Sequence, residues 1–556
     1  MGLQNRCPEP SLKIVIAEKV SPATLAILKK EPGWNVVTAD QITDLPAELA
    51  DADALIVRSA VQADAKLLAA APKLRIIGRA GVGVDNIDAV EATNRGIVVM
   101  NTPGANAVAV AELTLGLMIS MCRSIPRANA TMHAGKWDKK TLQGSELRGK
   151  TLGIVGCGRI GLEVARRAKA FGMNLIGYDP FIAPVIAREN SVTLVPIDEI
   201  FSESDFLSLH VGLTPQTEGL INKHSIAIMK RGIRIVNCAR GELIVDEALA
   251  EAIASGHVAG AALDVFTKEP LKDSPYFELE NVLLSPHIAG STDEAQEAIG
   301  IQLANQVRDY LKLGVVQNAV NVASLSEEEY AEVSPYIEMA DRLGQLLGHA
   351  AGSPNTGSKS TEAGTVDCIT LTYNGRLAQL KTELIRNSAI AGVLHGADAV
   401  NRINAAAAAE ERGIRLQEHK REHVSGGTGA VLKLALHWAR GGEQGEWIGT
   451  ATVLHGRSPR LLSYDGIDIE AELAGTLVII RNQDVPGVIG RIGTILGEAK
   501  LNIANFALGR AQAGHALAVV QLDVANASPT QLEGAIEALR KVEAITSVRV
   551  VELGKL

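Results

Sequence analysis

Gly156-Cys-Gly158-Arg-Ile-Gly161 follows the apolar run TLGIV directly and opens a helical stretch from Leu162 to Phe171. A strand that turns into a helix through three spaced glycines constrains this chain more than any other feature. Gly156 permits the tight turn, Gly158 lets a pyrophosphate approach the backbone, and Gly161 allows helix to pack closely on strand. The helix N-terminus adds free N–H groups and a positive potential. Alone the motif is weak. Its context is complete here, because Asp179 ends the next strand, LIGYD, about 20 positions further on. A carboxylate there accepts hydrogen bonds from both ribose hydroxyls of NAD and repels the extra phosphate of NADP, so NAD is the expected cofactor.

The surrounding pattern agrees. From Thr151 the runs TLGIVG, NLIGYD, DFLSLHV, IRIVNCAR, VAGAALDVF and NVLLSPHIAG read as six strands separated by helices. The first hundred residues alternate in the same way, with strands at 12–17, 35–38, 54–58, 74–79 and 97–101 and helices at 21–30 and 63–71. Such alternation predicts parallel sheets covered on both faces. The turn Asn101-Thr-Pro-Gly104 breaks it before a long apolar helix from about Ala105 to Arg123. A last helix, Thr292 to Lys312, is placed to cross back to the first domain.

At roughly 150 residues per domain, 556 residues make three or four domains. The 54 Lys and Arg against 63 Asp and Glu give a formal charge of −9, without a long basic run, which argues against a nucleic-acid partner. The apolar stretch Ala107 to Met121 is interrupted by Glu112 and falls short of the roughly 20 residues that span a bilayer, so no membrane partner is expected. The start MGLQNRCPEPSLKIVIAEKV lacks the pattern of a secretory signal, and the expected location is cytoplasmic. The five cysteines are scattered and form no CxxC, so neither a disulfide framework nor a metal site is indicated.

Ligands of doubly wound sheets sit outside the carboxyl ends of the strands. Arg240 follows IRIVNC, Glu269 follows AALDVF, and His287 follows NVLLSP. Each alone has a bland reading, as surface charge, solvated loop residue or structural imidazole. Their shared place beside a dinucleotide motif changes that. Oxidising an alcohol means taking a proton from oxygen while a hydride leaves carbon. His287 suits the proton acceptor, Glu269 its orienting carboxylate, and Arg240 a guanidinium that holds a substrate carboxylate. Asp264, at the end of its own strand, reads either as facing the nicotinamide carboxamide or as a structural cap.

The segments VGCGRIG, NCARGELIVDEALAEAI, LDVFTKEP and SPHIAGST, in this order and spacing, resemble the D-isomer-specific 2-hydroxyacid dehydrogenases. VRSA, GRAGVGVDNID, NTPGAN and GKWDKK extend the resemblance to its long members, which oxidise (2R)-3-phosphoglycerate to 3-phosphooxypyruvate in serine biosynthesis. The resemblance implies a catalytic set of Arg240, Glu269 and His287. It implies NAD contacts at Gly156, Gly158, Arg159, Ile160, Gly161, Asp179, Cys238, Ala239, Arg240, Asp264, His287 and Gly290. It also puts Arg58, Ser59, Arg79 and Gly81 at the substrate, which suits a ligand carrying both phosphate and carboxylate. Val82 and the run His210-Val-Gly-Leu213 depart from the usual pattern. Another 2-hydroxyacid dehydrogenase, such as a hydroxypyruvate or 2-oxoglutarate reductase, is the alternative, and a non-catalytic NADH-sensing scaffold is a third reading. The long C-terminal extension disfavours both.

That extension changes texture. Glu327 to Gly348 reads as one amphipathic helix, followed by the polar loop Gly352 to Gly364 and a mixed region to about 470, where Lys420 and Arg421 read as a solvated charged face. The last 86 residues repeat strand, helix and strand in a βαββαβ order and resemble an ACT domain, a module that binds amino acids. By that resemblance, L-serine is a possible effector, with Asn482, Asp484 and Asn502 as its contacts around one loop. The fold expectation is an α/β chain in four parts. A Rossmann-type NAD-binding domain (105–290) is inserted in a flavodoxin-like substrate domain (1–104 and 291–324), followed by a mixed α/β intervening domain (325–470) and the ACT domain (471–556). The family implies a homodimer or homotetramer.

Overall fold

The computed structural model describes residues 11–554, apart from 326, 353–364, 398–399, 423–428, 441–442, 512–513 and 525–526. Most of the polar loop expected at 352–364 therefore lies outside the described residues. The first sheet has five parallel strands, β1 (Lys13–Ile16), β2 (Asn35–Val37), β3 (Ala54–Val57), β4 (Ile76–Arg79) and β5 (Val98–Met100), in the order β2-β1-β3-β4-β5. This is the flavodoxin-like order. Central strands such as ALIV are apolar at every position because helices cover both faces. Short helices at Leu45–Leu49 and Ala89–Asn94 supplement those read from the sequence.

The chain leaves this sheet after β5 along the helix Ala107–Arg123. It comes back along the helix Asp293–Leu313, which starts at a Thr292 cap and ends at Gly314 in the left-handed region (φ +72°). Ile299, Leu303, Val307 and Leu311 of that helix form one stripe, buried in the same core as Ile14, Ile56 and Ile76. Asn321 then accepts a hydrogen bond from the Val99 amide, 2.9 Å away, tying the returning chain to β5.

The inserted sheet has seven parallel strands: β6 (Thr151–Val155), β7 (Asn174–Tyr178), β8 (Thr193–Leu194), β9 (Phe206–Leu209), β10 (Ile233–Asn237), β11 (Val258–Leu263) and β12 (Val282–Leu284). Their order is β12-β11-β10-β9-β6-β7-β8, so the winding reverses between β6 and β9. That is the Rossmann arrangement, with its ligand crevice at the reversal. The sequence showed six of these strands; β8 is a two-residue edge strand, too short for its periodicity to register.

Helix Glu327–Ala351 opens the next part and packs on a six-stranded mixed sheet: β13 (Thr365–Asn374), β14 (Arg415–Arg421), β15 (Val431–Arg440), β16 (Glu443–Leu454), β17 (Ser458–Tyr464) and β18 (Ile467–Glu472). Lys420 and Arg421 lie on β14, an exposed edge strand whose charges discourage further pairing. Ile403, from the turn before the helix Ala405–Glu411 that precedes β14, is buried in the core of the first domain, and Asn401 and Asn404 donate to the Gly96 and Asn94 carbonyls.

The last sheet is antiparallel, β19 (Thr476–Gln483), β20 (Asn502–Arg510), β21 (His515–Asp523) and β22 (Ile545–Glu552), in the order β20-β21-β19-β22. Alternation along its strands divides two cores. Val478, Ile480, Ala518 and Val520 face the helices Val488–Glu498 and Pro529–Arg540, whereas Leu477, Ile479, Leu517 and Val519 join the core of the preceding domain. Buried Arg342 crosses that seam, donating to the carbonyls of Leu473 (2.8 Å) and Gly554 (3.4 Å). Among the described residues no single helix is long and apolar enough to cross a membrane.

Candidate active site

The fingerprint turn has the shape its glycines require. Gly156 has φ +92°, and a Cβ there would sit 2.5 Å from the His210 carbonyl oxygen; a Cβ on Gly161 would sit 2.1 Å from the Gly156 oxygen. Gly158 borders open space, directly ahead of the first turn of the helix Arg159–Ala170. The Asp179 carboxylate accepts from the amides of Cys157 (2.9 Å), Phe181 (2.8 Å) and Ile182 (3.2 Å). An ionised carboxylate has about four lone-pair sites, so one stays open for a ribose hydroxyl. Open space over Gly158, free N–H groups and this carboxylate fit a dinucleotide. Cys238 is packed in the core of the inserted domain as a neutral thiol, its pKa pushed up to about 12 by burial. Burial takes His210, bonded to Ser208 at 2.8 Å, down to about 4, so its imidazole supplies no charge at neutral pH.

His287 occupies the left-handed region (φ +52°), uncommon for a residue with a side chain. The conformation is over-determined. The His287 amide donates to the Asp264 carbonyl at 2.8 Å, and the fully buried Asp264 carboxylate accepts from the Ser285 hydroxyl (2.6 Å) and the amides of Ile288 (3.0 Å) and Ala289 (2.8 Å). Of its two sequence readings, the observed contacts of Asp264 match the cap: it pins the 285–289 loop. The pinned loop presents the imidazole to Glu269, with His287 Nδ1 and Glu269 Oε2 2.8 Å apart. The other carboxylate oxygen accepts from the Phe266 amide at 3.1 Å. A carboxylate accepts only, so Nδ1 carries the proton and Nε2 is left basic.

Both groups line a cavity of about 730 Å³ together with Arg58, Ser59, Arg79, Gly81 and Gly290. Its floor is the first domain and its wall the inserted one. Arg79 crosses Gly81 so closely that a Cβ at that glycine (φ +149°) would lie 1.4 Å from Nη1. Its Nε is buried without a hydrogen-bond partner. Burial, followed by the charge on Arg240, brings the Arg79 guanidinium down to about 10, with Asp85 and Glu18 opposing and Arg58 assisting. It stays charged at neutral pH. Glu18 accepts from the amides of Arg58, Ala60 and Val61 and so fixes the loop that carries Arg58 and Ser59.

Arg240 stands outside the cavity lining. Its Nε donates across the gap between the two domains to Asp85 Oδ2 at 2.9 Å, and its Nη1 donates to the neighbouring Ala239 carbonyl at 2.6 Å. Two residues that shape its position were missed in the sequence. Asn237 accepts from the Ala239 amide and donates to the Arg240 carbonyl at 2.7 Å, a local signal that a strand-ending Asn offered. Asp85 lies 155 positions from Arg240, and no local pattern pairs them.

The effector residues do not meet. Asn482 pairs with Ala516 at one end of the last sheet, and Asn502 pairs with Asp523 at the other. At about 3.3 Å per residue those ends are roughly 23 Å apart, so the expectation of one shared loop is wrong within a chain. Asp484 stays at the Asn482 end, its amide bonded to the Gly514 carbonyl and its carboxylate 3.3 Å from Arg510 Nε. Asn482 is 4% exposed, with its Oδ1 unpaired.

Three family models match the chain. Residues 115–289 match the D-isomer specific 2-hydroxyacid dehydrogenase NAD binding domain, 332–463 the D-3-phosphoglycerate dehydrogenase intervening domain, and 476–544 the ACT domain. A D-3-phosphoglycerate dehydrogenase of Methanocaldococcus jannaschii is 38% identical over 98% of this chain and all of its own length. One from Bacillus subtilis is 36% identical over 97% and 99% respectively. Among solved structures, a glyoxylate reductase from Paecilomyes thermophila (32% identical, TM-score 0.52) covers 56% of this chain with 99% of its own. An NAD-dependent formate dehydrogenase from Staphylococcus aureus, in complex with NAD (30% identical, TM-score 0.50), covers 56% with all of its own. With full-length relatives above 30% identity and all three models in order, this chain belongs to the D-3-phosphoglycerate dehydrogenase family of the D-isomer-specific 2-hydroxyacid dehydrogenases.

Proposed function

We propose that the protein oxidises (2R)-3-phosphoglycerate to 3-phosphooxypyruvate with NAD, with His287 as proton acceptor. The observation that carries the reading is the 2.8 Å His287–Glu269 pair on the wall of a cavity that also holds Arg58 and Arg79. The phosphate and carboxylate of the substrate meet these guanidinium groups, which are concentrated on one wall of an otherwise acidic chain. His287 Nε2 takes the hydroxyl proton, and Glu269 stabilises the imidazolium that results. Arg240 turns its guanidinium from Asp85 to the substrate carboxylate and polarises the carbonyl in the reverse direction. NAD, when bound, would supply the hydride acceptor; the turn at Gly156 and Gly158 would hold its pyrophosphate and Asp179 its ribose, with Gly161 seating the helix on the strand.

The test is NADH formation from 3-phosphoglycerate by the full chain, run beside unphosphorylated 2-hydroxyacids. Turnover of the phosphorylated substrate is expected. Turnover of an unphosphorylated acid alone makes the protein a simple reductase and rejects this reading. L-serine is proposed as effector at Asp484, with its ammonium on that carboxylate.

A further inference from the structure

A second cavity, of about 560 Å³, shares no lining residue with the first. It opens between helix Glu327–Ala351, helix Glu383–Val393, the segment that follows, and the turn at 456–457. The volume is within the usual range for small-molecule sites. The chemistry of its walls is uneven. Glu338 is taken up by Arg342, 2.7 Å away. Asp341 accepts from Gln345 Nε2 at 2.9 Å through one oxygen, and its other oxygen makes no hydrogen bond among the described residues. Burial raises its carboxyl pKa against the pull of that bond and of His395, Arg402 and Arg342. Arg402 and Arg457 have no ion-pair partner among the described residues. Ser388 is 3% exposed, lines the cavity, and its hydroxyl makes no hydrogen bond among the described residues.

One carboxylate and one hydroxyl thus face two guanidinium groups that have no ion-pair partner among the described residues. We propose that this cavity binds an amino acid carrying a second acidic group, with its ammonium on Asp341 and Ser388 and its two anions on Arg402 and Arg457. A phosphate ester or a side-chain carboxylate meets the second arginine equally well in kind. The place suits regulation. Tyr330, in the same wall, donates to the Leu313 carbonyl at the end of the helix that returns to the substrate domain. Further along the wall helix, Arg342 and Ala350 bond to the C-terminal domain. The inference does not depend on the catalytic reading, because binding is measured without turnover.

Calorimetric titration of the full chain with O-phospho-L-serine and with L-glutamate tests it, with L-serine and inorganic phosphate as contrasting probes. Saturable binding of one of the first two is expected, weakened about tenfold or more by Asp341→Asn, by Arg402→Gln and by the exposed Arg457→Gln. Asp484→Ala, in the last domain, is expected to leave that affinity unchanged. L-serine, with one anion, is expected to bind this cavity about tenfold more weakly. Absence of binding by both acidic amino acids overturns the proposal. So does phosphate binding as tightly and insensitively to Asp341→Asn, or loss of binding in Asp484→Ala. The Arg457 variant, on an exposed turn, keeps the test informative if Asp341→Asn fails to fold.

Discussion

The catalytic cavity and the loop end of the last sheet are both assembled from residues at strand termini, yet only in the first do predicted residues meet: Glu269 and His287 converge, while Arg240 stands outside the lining. The reason is strand direction. In a parallel sheet every carboxyl end points the same way, so Glu269 and His287, each past the end of its own strand, converge without any knowledge of register. In the last sheet β19 and β20 are both antiparallel to β21, hence parallel to each other. Asn482 lies at the end of one and Asn502 begins the other, which places them at opposite ends of the sheet. Residues that follow parallel strands can be grouped from sequence; a residue that follows one strand and a residue that precedes another cannot.

The largest test of the convergent site is His287→Ala. Turnover is expected to fall by about 100-fold or more with cofactor binding retained, as removal of a general base does. Steady-state assay with saturating 3-phosphoglycerate reads it, and a loss below about tenfold removes His287 from the proton-accepting role. Gly81→Ala comes next. Its Cβ would displace the Arg79 guanidinium, 1.4 Å away, at a backbone conformation that already disfavours a side chain. The expected result is a rise in KM of about tenfold with a smaller change in kcat, the signature of lost ground-state binding. An unchanged KM means that Arg79 does not hold the substrate.

The pH dependence is a gentler version of the same test. Arg79 is charged below its depressed pKa of about 10 and neutral above it. Substrate affinity is therefore intact at neutral pH and falls as pH rises through about 10, earlier than an ordinary arginine allows. KM measured from pH 8 to 11 is expected to climb several-fold across that window, and a flat profile contradicts the burial that causes the shift.

These tests also show how the legible parts of the sequence differ from the rest. The fingerprint turn was readable because its glycines stand at fixed spacing between a strand and a helix, and His287 and Glu269 because strand ends locate them. Asp264 was half readable. Its place at a strand end was evident, but only coordinates show its carboxylate spent on Ser285, Ile288 and Ala289. The Arg240–Asp85 bond between domains has no local signature, and neither has the seating of Ile403 in the first domain's core. Non-local pairs of that kind depend on how the domains dock, which composition and periodicity do not encode.

The smallest predicted effect belongs to the site that failed to converge. If serine acts at the Asp484 end of one chain, Asp484→Ala removes serine sensitivity while Asn502→Ala shifts the half-inhibitory concentration by less than about twofold, since roughly 23 Å separates them. Inhibition curves for the two variants against wild type decide it. A large shift in the Asn502 variant would mean that the edge strand β20 of a second copy brings its own Asn502 to Asp484, so that the sheet achieves between chains the convergence that strand direction denies it within one. Equal insensitivity of both variants to the substitution would move serine away from this sheet end altogether, and the antiparallel sheet would then serve as packing for the preceding domain, whose core it already shares.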